Sequence, residues 1–191
     1  ERGADLTLLA QNETSALWLS VAEGFEDCVQ LLANPKTVNL LDAANDHVLQ
    51  VAIRKGNLEI VSLLLAVDGI DLSFEGSPLN KTALDLAIQL QDVAMARLIL
   101  QAGGKITEPA DGQEDDALLL WALREETSTE LLRFIVKDVG VDVQKPDGEG
   151  YTPLMLAVHS RDFEAVDLLL PGSDINAQAP DGSTCLILAT L

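Results

Sequence analysis

The sequence predicts an all-α solenoid of short, stacked helix pairs, and three observations carry that prediction. The first is a ladder of leucines, Leu17, Leu49, Leu84, Leu119, Leu154 and Leu186, each followed three residues later by a small residue: Ser20, Ala52, Ala87, Ala122, Ala157 and Ala189. The second is an apolar block after each of the first five rungs, as in Val61–Leu65, Ala96–Leu100 and Val166–Leu170. The third is a polar return between copies, marked by Asp111-Gly112, Asp147-Gly148 and Asp181-Gly182, dipeptides suited to tight turns. A fixed period near 35 residues is the signature of a repeat array. Helix pairs this short are marginal alone, so each must cover the apolar side of the next.

Within each copy the first helix carries Leu and the small residue at i and i+3, on one face. The small residue lets a neighbouring helix approach. The second helix starts behind an N-cap candidate, Asn57, Asp92 and Asp162 in three copies. In the fourth copy Thr127 with Glu130 reads as a capping box. Gly69, Gly103, Gly140 and Gly172 stand where the second helix ends, and a left-handed residue there suits glycine. The copies run 13–44, 45–79, 80–114, 115–149 and 150–182, between partial copies at 1–12 and 183–191. The fourth diverges most, with one extra residue before its second helix. Neither end carries a polar cap, so the chain is expected to come from a longer solenoid or a larger protein.

Composition narrows the partners. Hydrophobic residues make up 48% of the 191 residues and aromatics only 4%, so the core is aliphatic and the chain is not a disordered one. A net charge of −19 repels phosphate backbones and anionic lipid, which argues against nucleic acid and membrane surfaces as main partners. No signal segment opens the chain, and no apolar run approaches about 18 residues. Cys28 and Cys185, the two thiols, complete no ligand set and read as small buried hydrophobes in a reducing compartment, the cytoplasm or the nucleus.

Chemistry is hard to find. No nucleophile elbow, dinucleotide turn or phosphate loop is present, and Gly103-Gly104-Lys105 lacks the hydroxyl residue that a phosphate loop needs. His47 and His159 lie about three copies apart, too far to share a metal, and read as surface or turn histidines. Asp174-x-Asn176-x-Gln178 opens like a calcium loop, but Ala179 stands where that loop requires glycine. The Asp115-Asp116 and Glu125-Glu126 pairs read as solvated faces. Trp18 and Trp121 are also about three copies apart, so they pack rather than form one cage for a methylated lysine. The expectation is no catalytic residue, no cofactor and no metal.

Gly150-Tyr151-Thr152-Pro153-Leu154, running through Ala157 to Leu168-Leu169-Leu170 and Asp174-Ile175-Asn176, closely resembles the ankyrin repeat. The likeness extends over essentially the whole chain. It implies antiparallel helix pairs with projecting β-hairpin fingers, and a protein-binding role on the concave face. The family's Thr-Pro-Leu-His is complete nowhere. Trp18, Gln50, Asp85, Leu119, Met155 and Ile187 stand in its His position, so the Thr–His hydrogen bonds of a consensus array are expected to be mostly missing.

On that template the partner-binding residues would be Glu23, Arg54, Lys55, Gln89, Arg124, Glu125 and His159 late in the first helices, with Asp71, Asp111 and Asp147 on the fingers. The fingers are strongly acidic and the helical floor is mixed, with local basic character at Arg54, Lys55 and Arg124. The implied function is a monomeric interaction module, part of an adaptor or scaffold, for a protein partner with a basic stretch. Two other readings are a regulatory or targeting segment of a larger enzyme or channel, and a reader of basic peptides such as histone tails. Asn39 and Asn176 occupy the finger position that resembles the asparagine hydroxylated in many ankyrin proteins.

Overall fold

The computed structural model describes residues 5–10, 14–42, 45–74, 81–107, 118–125 and 127–190. The chain divides into two compact units, Glu1–Thr107 and Glu108–Leu191. The first holds α1 (Ala16–Glu23), α2 (Glu26–Leu32), α3 (Val48–Lys55), α4 (Leu58–Leu65), α5 (Ala83–Gln89) and α6 (Val93–Gln101). In it α1, α3 and α5 pack in series as one layer, and α2, α4 and α6 form the second. The other unit holds α7 (Leu118–Arg124), α8 (Thr129–Phe134), α9 (Pro153–His159), α10 (Phe163–Leu169) and α11 (Cys185–Leu188). Here α9 packs against both α7 and α11, with α10 against α8. Among the described residues there is no strand, only isolated bridges such as Leu9 with Ser15 and Leu41 with His47.

Local hydrogen bonds explain why each pair folds this way. Ser15, His47, Thr82, Thr152 and Thr184 cap the first helices, each side chain accepting a backbone N–H of the first turn. At Thr82 the cap is reciprocal, because Asp85 accepts the Thr82 backbone N–H in return. Seven residues after the ladder leucine the backbone turns left-handed, at Gly24, Gly56, Gln91 and Arg161 (φ 80°, 69°, 57° and 58°). The next residue then donates its N–H back to the carbonyl of the small residue. Phe25 reaches Ser20, Asn57 reaches Ala52, Asp92 reaches Ala87 and Asp162 reaches Ala157, at 2.8–3.3 Å. The small residue therefore does two jobs: it admits the neighbouring helix and anchors the turn.

The second helices start at Asn57, Asp92 and Asp162 as expected, each side chain accepting an N–H three residues on. The fourth copy departs. Its N-cap is Ser128, whose hydroxyl accepts from Leu131, not Thr127 with Glu130. Thr127 donates the returning N–H to Ala122, at 3.2 Å, as the caps of the other copies do, but here the helix begins one residue later. The Thr127 hydroxyl is left buried without a partner. Past Phe134 the backbone widens into a π-helical turn, Ile135–Val139.

Gly69, Gly103 and Gly140 are left-handed where the second helix hands over to the return. Gly172 is not. It lies in a 3-10 turn, Leu170–Gly172, where an added Cβ would come within 2.9 Å of the Val143 side chain, so close approach is the reason for glycine there.

Leu17, Leu49, Leu84, Leu119 and Leu154 are each 2% exposed or less, which places the ladder between the packed pairs. Leu186 breaks the pattern at 76% exposed, because Leu188, about 200° further round the four-residue α11, takes the inward position with Met155 and Ala179. The cysteines also differ from expectation. Cys28 is exposed, since its neighbour Val29 is the buried residue of α2, and Cys185 is half-buried. Burial pushes the Cys185 thiol above its ordinary value. His47 is no surface histidine: it is 2% exposed and caps α3.

A candidate partner-binding face built on turns

The returns are hairpin turns with one recurring bond pattern. Asp42 donates its N–H to Asp46, Asp147 to Tyr151 and Ala179 to Ser183. In each, the residue three on (Asn45, Gly150, Gly182) is left-handed and donates back to the first. That is the geometry of a short hairpin loop ending in a left-handed residue. Asp111 and its glycine fall outside the described residues.

Side chains build these turns. The Asp147 Oδ1 accepts the N–H groups of Glu149 (3.1 Å) and Tyr151 (2.8 Å), while Oδ2 pairs with the Arg124 guanidinium at 3.1 Å. Asp147 is only 4% exposed, which corrects its reading as a free acid on a finger. Nearby, the Tyr151 hydroxyl donates to Asp181 at 2.7 Å; the Ser183 N–H above all, with the Tyr151 and Ser183 hydroxyls, holds the Asp181 carboxyl below its ordinary value. In the first unit Arg54 pairs with Asp46 at 2.7 Å. Two of the three floor cations named above are thus engaged by turn acids of their own unit.

The other proposed contact residues are exposed. Glu23, Lys55, Gln89, Glu125 and His159 stand at or just past the ends of first helices, and Asp71 is exposed on its return. Asp71 also organises its own loop, its Oδ1 accepting from the Ser73 N–H and hydroxyl.

Asn39 and Asn176 are both exposed but held differently. The Asn39 amide donates to the Gly69 carbonyl at 2.7 Å, and its Oδ1 accepts the Asp71 N–H at 2.9 Å and faces His47 Nε2 at 3.2 Å. Asn39 therefore ties one return to the next, over about 30 residues of chain. The Asn176 side chain makes no hydrogen bond among the described residues, and its N–H donates to Asp174.

The position after each ladder leucine reveals a substitution of chemistry that sequence reasoning missed. No histidine stands there, yet Gln50 donates to the carbonyls of Phe74 (3.2 Å) and Lys81 (2.9 Å), bridging to the following return. Asp85 likewise accepts the Thr107 N–H at 3.0 Å. At Trp18 and Met155 the bridge is absent: the Trp18 indole N–H is buried without a partner, and Met155 packs with Ala179 and Leu188.

A further groove of about 680 Å³ lies in the second unit on the second-helix side, lined by Thr129, Arg133, Lys137, Glu164, Asp167, Leu168 and Pro171. No sequence motif pointed to it. Among the described residues no helix is long and apolar enough to cross a membrane, and no three His, Cys, Asp or Glu side chains cluster as metal ligands would.

Comparison with known proteins agrees with this architecture. Residues 2–75 and 17–110 match the family described as Ankyrin repeats (3 copies), and residues 135–189 match Ankyrin repeats (many copies). The ankyrin repeat protein nuc-2 of Neurospora crassa is 33% identical over 151 residues, 76% of this chain and 13% of that protein. The nuclear factor NF-kappa-B p105 subunit of Gallus gallus is 27% identical over 156 residues, 80% of this chain and 15% of that protein. The chain thus spans a small part of these relatives' length. Among solved structures, the ankyrin repeat domain of Bcl-3, a member of the IkappaB protein family, has a similar fold, with a TM-score of 0.73, 21% identity and coverage of 98% of this chain and 82% of that one. A chain from the structure of the Bd0816 predatory endopeptidase of Bdellovibrio bacteriovorus in complex with immunity protein Bd3460 is also similar, with a TM-score of 0.66, 23% identity and coverage of 96% and 92%. With its leucine ladder, its capped helix pairs and the family matches over most of its length, the chain belongs to the ankyrin-repeat family.

Proposed function

We propose that the chain binds a protein partner carrying a basic stretch, through the face made in each unit by the ends of the first helices and the turns. Ankyrin-repeat domains are protein–protein interaction modules. The observation that carries the finer reading is the engagement of Arg54 by Asp46 and of Arg124 by Asp147. With those guanidinium groups paired to turn acids, the exposed acids Glu23, Asp71, Glu125 and Asp181 outweigh Lys55. Charge of this kind speeds encounter and biases specificity more than it sets affinity. The module would work within a larger adaptor or scaffold in the cytoplasm or nucleus.

The test is binding of lysine-rich and glutamate-rich probe peptides by calorimetry at low and high salt. Lysine-rich peptides should bind, more weakly as ionic strength rises from about 0.05 to about 0.5 M, and Asp71→Lys should weaken them further. Salt-independent binding, or a preference for the glutamate-rich peptide, would overturn the reading. Asn39 and Asn176 are the two asparagines we assign to hydroxylation; an intact mass with no added oxygen after treatment with an asparaginyl hydroxylase would refute that assignment.

A further inference from the structure

Among the described residues, His47 does a job that no other helix cap does with a titratable ring. The caps of the other first helices in the described residues are Ser15, Thr82, Thr152 and Thr184, hydroxyls with no charge to gain. At position 47 the cap is an imidazole, 2% exposed, whose Nδ1 accepts the Leu49 N–H at 3.2 Å. An accepting Nδ1 in a neutral ring places the proton on Nε2, and Nε2 faces the Asn39 Oδ1 at 3.2 Å. The same Asn39 oxygen receives the Asp71 N–H, and the Asn39 amide reaches the Gly69 carbonyl. The Phe74 ring lies against the imidazole, centroids 5.4 Å apart. One neutral histidine thus closes a node joining the return at Asn39, the start of α3 and the return at Gly69–Phe74.

We infer that His47 is an acid-sensitive latch: neutral, it ties the start of α3 to the two successive returns joined at Asn39, and protonated, it releases the first turn of α3 from them. The reason is geometric. A second ring proton on Nδ1 would point at the Leu49 N–H, so two donors would meet at 3.2 Å and α3 would lose its cap. Burial disfavours the charged ring as well. The charge that opposes this from the neighbouring return is Asp71, while Asp46, next to His47 in the chain, is paired with Arg54. Burial is the larger effect and pushes the ring below its ordinary value. A base whose folded pKa is depressed adds stability above its unfolded pKa, near 6.5, and loses that contribution as pH falls toward the folded value. The latch therefore opens on acidification.

The experiment compares the chain with its His47→Thr variant, which restores the hydroxyl cap used elsewhere and should fold. Urea midpoints are measured from about pH 7.5 to about pH 5. The parent midpoint should fall further than that of the variant, because the carboxylates common to both cancel in the difference. Parallel curves, or a parent that gains on the variant as pH falls, would overturn the latch. A ring titration by NMR, in a His159→Gln background that leaves one histidine signal, supplies a second reading. A His47 pKa below 6.5, with the Leu49 and Asp71 amides shifting at the same pH, is expected; a value at or above 6.5 refutes the proposal even if the Thr variant fails to fold.

Discussion

Arg124 and Asp147 form an ion pair between an exposed cation and a buried acid, 3.1 Å apart and 23 residues apart in sequence. The two partners do unequal work. Asp147 organises a turn by accepting two backbone N–H groups, whereas Arg124 satisfies the second carboxylate oxygen from the solvent side. Asp147→Ala should destabilise by about 2–3 kcal/mol, since it strips the turn of charge-assisted bonds. Arg124→Ala should cost about 1 kcal/mol or less, because the guanidinium is partly in water. Urea denaturation of both variants checks the order, and equal costs would mean that the pair, not the turn, is what Asp147 supplies.

The left-handed site after each first helix offers a stabilising change. Gln91 and Arg161 hold φ near 57° and 58°, where a Cβ is crowded, while Gly24 and Gly56 hold the same place freely. Gln91→Gly and Arg161→Gly should each stabilise by up to about 1 kcal/mol, the gain reduced by the greater unfolded-state freedom of glycine. Gly56→Ala should destabilise by a similar amount. Thermal unfolding of the three variants decides the sign.

Burial ranks the ladder leucines. Leu84 is fully buried, and Leu84→Ala should cost about 2–5 kcal/mol. Leu186 is 76% exposed, so Leu186→Ala should stay within about 0.5 kcal/mol, as should Asp71→Ala on its exposed return. Chemical denaturation that returned the opposite ranking would contradict the face assignment.

Gln50 is 4% exposed and spans two carbonyls of the next return. Gln50→Leu keeps the apolar packing but strands those carbonyls, so it should cost about 1–3 kcal/mol. Hydrogen exchange should show faster opening around Phe74 and Lys81, and unchanged exchange there would mean that water replaces the amide at no cost.

The sequence by itself determined the repeat. The leucine ladder, the small residues, the Asn57, Asp92 and Asp162 caps and the Gly69, Gly103 and Gly140 exits are local features, set by bonds that close within a few residues. Such bonds leave a periodic trace in residue types. The extra residue of the fourth copy was legible for the same reason, although its cap was misplaced by one: Thr127 and Ser128 are both competent caps by residue type, and it is the Ser128 hydroxyl that accepts the Leu131 N–H. Tertiary structure alone decided what Asp147, His47, Gln50 and Cys28 do. Their roles depend on atoms supplied by other segments, Arg124 for Asp147, Asn39 and Phe74 for His47, Phe74 and Lys81 for Gln50, or on which side of a short helix meets the neighbouring pair. An acid on a turn has the same letter whether water or a guanidinium faces it, and desolvation, the quantity that separates the two, exists only once the helix pairs have stacked.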